Sequence, residues 1–123
     1  MLVDQLDSAL DPLADLRGRF VERSLQRVAM LRAALAGDRP SVETIAPLAH
    51  QLAGSAGTFG YAALGRAAAA LEDAARAAGS TGAPLDVALI RPHLLALEWQ
   101  LARADPTRPD PPPGEAAEAF FSG

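Results

Sequence analysis

Apolar residues recur every three or four positions through most of this chain, and the recurrence divides it into four helical stretches and a tail. From about Pro12 to Ala36, the positions Leu13, Leu16, Phe20, Val28, Leu31 and Leu35 repeat at helical spacing. Asp11 suits the N-cap of this helix, Pro12 its first turn and Gly37 its stop. After the turn Asp38-Arg39-Pro40, either Ser41 or Thr44 can cap a second helix. Thr44 would place Pro47 in the first turn, where a missing N–H does no harm. Gly57 and Gly60 close that helix. A third, alanine-rich helix runs from about Tyr61 to Ala78 and ends at Gly79. The stretch from Gly79 to Pro84 is a loop by composition. A fourth helix from about Leu85 to Ala104 carries Leu89, Ile90, Leu94, Leu97 and Leu101, and Pro92 inside it predicts a kink or break. No segment reads as a strand. Four helices with short connections predict an all-α fold, an antiparallel up-down four-helix bundle over residues 1–104. Residues 105–123 read as a disordered proline-rich tail or linker, with a helical turn at Glu115 to Phe121.

Within the second helix the pattern singles out one residue. Ile45, Leu48, Leu52 and Phe59 define its buried side. His50 lies two residues from both Leu48 and Leu52, so at about 100° per residue it projects to the opposite side. Its expected neighbours on that outer face are Ala46, Ala53, Gly54 and Gly57, none large enough to shield an imidazole. Glycine within a helix costs up to about 1 kcal/mol relative to alanine. Gly54 beside an exposed histidine therefore reads as clearance for a partner.

Composition narrows the chemistry. The chain has 123 residues, enough for one domain with a core. Aromatic residues make up only 5%, which suits closely packed helices better than a sandwich or barrel. Cysteine is absent, so thiolate chemistry and cysteine-held zinc are excluded. A net charge of -4 argues against nucleic acid as a partner. No apolar stretch is long enough to cross a membrane. Met1-Leu2-Val3-Asp4 lacks the basic start of a secretory signal, so the expected location is cytoplasmic. Ser55 has no acid partner spaced for a triad, which argues against hydrolase chemistry. His93 reads as a residue at the core's edge, and a His50–His93 metal pair lacks a third ligand; no metal site is expected. Leu52, Phe59 and a partly buried Trp99 read as packing residues.

The run His50-Gln51-Leu52-Ala53-Gly54-Ser55-Ala56-Gly57-Thr58-Phe59-Gly60-Tyr61 resembles the motif of histidine phosphotransfer (HPt) domains. It is most similar to the phosphotransfer domain of chemotaxis-type histidine kinases. The resemblance covers Ile45 to Ala78 in motif and extends to about Ala104 in helical outline. It implies a four-helix phosphocarrier that takes a phosphoryl group on Nε2 of His50. The group would pass to or from a receiver-domain aspartate, or come from a histidine kinase. No intrinsic cofactor is implied; the receiver supplies magnesium and the acidic cleft. A glutamate 22 residues after the histidine, here Glu72, would orient the imidazole in such relatives.

Some assignments stay open on the sequence. Glu72 also stands four residues before Arg76, a favourable helical pair in its own right. Arg19, Arg23 and Arg27 form an i, i+4, i+8 stripe that suits either docking to the receiver's acidic cleft or a plain solvated face. Ala53 departs from the family's usual lysine, in a chain with no lysine at all. That departure admits an alternative function, a helical adaptor that binds a receiver or kinase without being phosphorylated. Transient docking on a receiver suits a monomer.

Overall fold

The computed structural model describes residues 12–79 and 85–108. Asp11, the loop residues 80–84 and residues 109–123 lie outside the described residues, and with them the N-cap and the Glu115–Phe121 turn expected above. Four helices are present: α1 (Leu13–Ala36), α2 (Val42–Thr58), α3 (Ala62–Gly79) and α4 (Val87–Arg103). Each packs against its neighbours in the chain, and α1 closes the ring against α4, giving the expected four-helix bundle. The most extensive of these contacts is between α2 and α3.

The core is built from one stripe per helix. On α1 the buried residues are Phe20, Ser24, Val28, Leu31 and Leu35, spaced at fours and threes. Ile45 and Leu52 of α2, Leu64 and Leu71 of α3, and Ile90, Leu94, Leu97 and Leu101 of α4 complete it. Complete burial of one such leucine or isoleucine contributes about 1.5–3 kcal/mol. Leu13, Leu16 and Leu89, expected on these stripes, are exposed instead. Periodicity alone does not tell whether a neighbouring helix extends far enough to cover a given position.

Both internal prolines are accommodated without breaking a helix. Because α2 starts at Val42, Pro47 sits beyond the first turn rather than within it. Ser41, not Thr44, holds the cap position; its carbonyl accepts from the Thr44 and Ile45 amides, while its hydroxyl donates to Thr44 Oγ1. Pro92 holds the same sixth position in α4, which runs unbroken from Val87 to Arg103. Both prolines are exposed, so water can serve the carbonyls their missing N–H groups leave free. Asp86 caps α4, its carboxylate accepting from the Ala88 amide at 3.0 Å.

The α2–α3 corner sets the register of α3 against α2. Gly60 has φ 87°, a left-handed conformation that disfavours any residue with a Cβ. Around it Gly60 N–H donates to the Gly57 carbonyl and Tyr61 N–H to that of Ala56, the paired bonds of a Schellman motif. Tyr61 thereby enters the core and stacks on Phe20, with centroids 5.5 Å apart. Its hydroxyl donates to the Asp105 carbonyl at 2.6 Å. Arg17 donates to the Pro106 carbonyl at 3.3 Å. Asp105–Arg108, expected as the start of a disordered tail, is therefore a turn fastened to the bundle.

Candidate functional site

The α2–α3 interface is lined by small residues. Ala46, Ala49 and Ala56 of α2 are buried, as are Gly65 and Ala68 of α3. A Cβ placed on Gly65 would stand 3.4 Å from the Ala53 carbonyl and 3.5 Å from the Ala56 Cβ. The two backbones thus run close together, and side chains on their shared edge can meet. Ala46 was expected on the outer face but is 1% exposed. A helix touching neighbours on two sides buries a wider arc than its large apolar residues mark. Ala53 is half-buried at the same seam.

On that shared edge stands His50, its side chain 73% exposed. Its Nδ1 lies 3.1 Å from Oε1 of Glu72 on α3. The other oxygen of Glu72 accepts from Arg76 Nε at 2.9 Å and from a terminal guanidinium nitrogen at 2.8 Å. Glu72 thus contacts both the imidazole and Arg76. The Arg76 hydrogen bond, joined by that of His50, holds the Glu72 carboxyl below its ordinary value, although burial pushes the other way. An ionised carboxylate facing Nδ1 accepts a proton's hydrogen bond there, which leaves the Nε2 lone pair directed to solvent. Among the described residues Nε2 has no partner.

The surface around the ring is bare. Gly54 and Gly57 are exposed, and a Cβ on either would meet nothing within 4 Å. Internal packing therefore gives no reason for glycine at these positions. Farther along, a groove between α1 and the end of α2 is lined by Arg19, Arg23, Arg27, Phe20, Ser55 and Phe59. Ser55 is five residues beyond His50, about 7.5 Å along the helix axis. At about 100° per residue Ser55 also lies about 140° around α2 from His50, so the arginine stripe lines the α1 side of α2, away from the His50–Glu72 edge.

Other residues fall elsewhere. His93 is half-buried on α4 and Trp99 is 56% exposed rather than partly buried, with the Arg103 guanidinium 4.3 Å from its ring centroid. Among the described residues no three metal-ligating side chains gather. No described helix is long and apolar enough to cross a membrane.

His50 is thus an exposed histidine whose Nδ1 meets a carboxylate from the adjoining helix of a four-helix bundle. The Hpt domain family model matches residues 15–105. The chain belongs to the Hpt domain family. Hpt domains carry phosphoryl groups in two-component phosphorelays, working with kinases and receiver domains. The match ends at Asp105, the residue that Tyr61 fastens to the bundle. No curated protein and no solved structure matches the chain.

Proposed function

We propose that this Hpt domain is a phosphocarrier whose acceptor is Nε2 of His50. The single observation that carries the reading is the His50 Nδ1–Glu72 contact beneath an otherwise open ring. With the proton on Nδ1, the Nε2 lone pair attacks the phosphorus of an aspartyl phosphate. The N–P bond forms as the P–O bond breaks, and the electron pair leaves on the aspartate oxygen. Glu72 then faces the positive charge gained by the ring. The reverse step returns the group to a receiver.

The chain itself contributes nucleophile, orientation and clearance. In-line transfer needs the donor phosphorus within contact distance of Nε2. Gly54 and Gly57 leave room for that approach, and Ala53 borders it. Arg19, Arg23 and Arg27 meet the acidic cleft of the receiver, whose magnesium ion neutralises the transferring group. The chain needs no cofactor of its own and acts as a cytoplasmic monomer.

The deciding experiment is transfer from a phosphorylated receiver domain or kinase. Acid-labile, base-stable label on the protein, lost in His50→Gln, supports the reading. That substitution, at an exposed position, is expected to change stability by under about 0.5 kcal/mol. Ala53, in place of a cation beside the histidine, favours a second reading as a non-transferring adaptor. Binding without label in the wild-type chain would select it.

A further inference from the structure

Glu72 has two carboxylate oxygens and divides them between two partners. His50 Nδ1 is 3.1 Å from Oε1, whereas both contacting nitrogens of Arg76 lie on Oε2. A guanidinium has donors only, so Arg76 requires an oxygen at that position. Its place one turn after Glu72 on α3 fixes which oxygen satisfies the requirement.

We propose that Arg76 is a positioning residue for phosphoryl transfer. By holding Oε2 it keeps Oε1 turned to Nδ1, and that oxygen, which can only accept, favours the His50 tautomer with a free Nε2. The inference rests on His50 being the phosphoacceptor. In the step itself, the Nε2–P bond forms, the bond from phosphorus to the donor's leaving atom breaks, and that atom takes the electron pair. The Nδ1 proton stays on the ring, hydrogen-bonded to Glu72. Arg76 touches neither the phosphoryl group nor the imidazole; it acts through the carboxylate.

This arrangement has an unusual consequence for Glu72→Gln. Arg76 would claim the amide oxygen, turning the amide N–H₂ toward His50. Nδ1 would then have to accept a hydrogen bond, which places the ring proton on Nε2 and removes the nucleophile. Glutamine should therefore be worse than alanine at position 72, and removal of Arg76 should relieve it by letting the amide turn over.

The test uses phosphoramidate, a small donor that needs no protein partner, with ¹⁵N NMR of the ring to read its tautomer. Wild type is expected to hold the proton mainly on Nδ1. Arg76→Ala should weaken that preference and slow labelling on the order of tenfold, as losses of orienting partners do elsewhere. Arg76→Lys, which keeps the charge but not the planar grip, should recover part of both. Glu72→Gln should label more slowly than Glu72→Ala, and Glu72→Gln/Arg76→Ala faster than Glu72→Gln. The proposal is overturned if Arg76→Ala leaves tautomer and rate unchanged, or if the double variant is no faster than Glu72→Gln. The lysine variant keeps the comparison readable should alanine loosen α3. Wild type that labels from phosphoramidate but from no receiver or kinase overturns the phosphocarrier reading, while the tautomer comparison still decides the role of Arg76.

Discussion

Gly65 of α3 lies directly against the carbonyl of Ala53 on α2, and a methyl group at Gly65 would stand 3.4 Å from that oxygen. The distance is ordinary van der Waals contact, so one carbon fits and a branched side chain does not. Gly65→Ala is expected to fold with stability close to or slightly above wild type, because alanine gains up to about 1 kcal/mol of helix propensity. Gly65→Val should push α2 and α3 apart and lose about 1–3 kcal/mol through overpacking. Urea denaturation measures both. Because His50 and Glu72 stand on these two helices, Gly65→Val should also slow phosphorylation of His50 in the fraction that remains folded.

The Glu72 contacts carry a pH dependence of definite sign. The folded-state carboxyl lies below its ordinary value of 4.5, chiefly through the Arg76 hydrogen bond and then that of His50, with burial opposing. In the window between the two values the unfolded chain binds more protons, so stability rises with pH there. The contribution is complete above about pH 4.5 and disappears as pH falls through the depressed value. Its size is modest; the Arg76 pair alone is a helical i,i+4 pair of about 0.2–0.5 kcal/mol. Urea titrations between about pH 3 and 6 should show wild type gaining on Glu72→Gln as pH rises. Parallel curves for the two proteins would contradict the contact.

The exposure of His50 and its partner Glu72 are legible in the sequence, and the exceptions have physical causes. His50 was placed outward by its spacing from Leu52, a large apolar residue whose burial the pattern states clearly. Ala46 was misplaced because alanine suits both a surface and a tight interface, so its type carries no sign of which. Trp99, expected to be partly buried, lies on the surface with Arg103 against its ring, a local contact at i,i+4. The boundaries of the helices were legible to within two residues at their glycines and caps. The Tyr61–Asp105 bond was not, because it joins residues 44 apart and leaves no period in the chain. Its available signal was chemical: a tyrosine following a helix-ending glycine enters the core and needs a partner for its hydroxyl.

That bond gives its own expectation. Tyr61→Phe keeps the ring stacked on Phe20 and removes only the donor to the Asp105 carbonyl. The loss should be about 1 kcal/mol, the usual net worth of one such hydrogen bond. Amide exchange in Asp105–Arg108 should accelerate more than in α4, because the turn loses its tie to the residue just before α3. Unchanged exchange there would mean that Arg17 alone secures the turn.

The arginine stripe is best tested by charge reversal and salt together. Arg19 and Arg23 are exposed and Arg27 half-buried along one groove, so a partner with an acidic cleft should feel all three before contact. Arg19→Glu/Arg23→Glu is expected to slow association with a receiver domain by tenfold or more at low salt, on the order of what steering supplies. Dissociation should change less, since rim charges act mainly on encounter. Near 0.15 M salt the Debye length is about 8 Å, and the gap between wild type and variant should narrow. Stopped-flow association across a salt series reads this directly. Equal on-rates at low salt would return the stripe to a solvated face, and receiver docking would then have to rest on the bare surface around His50, where Gly54 and Gly57 admit a close approach.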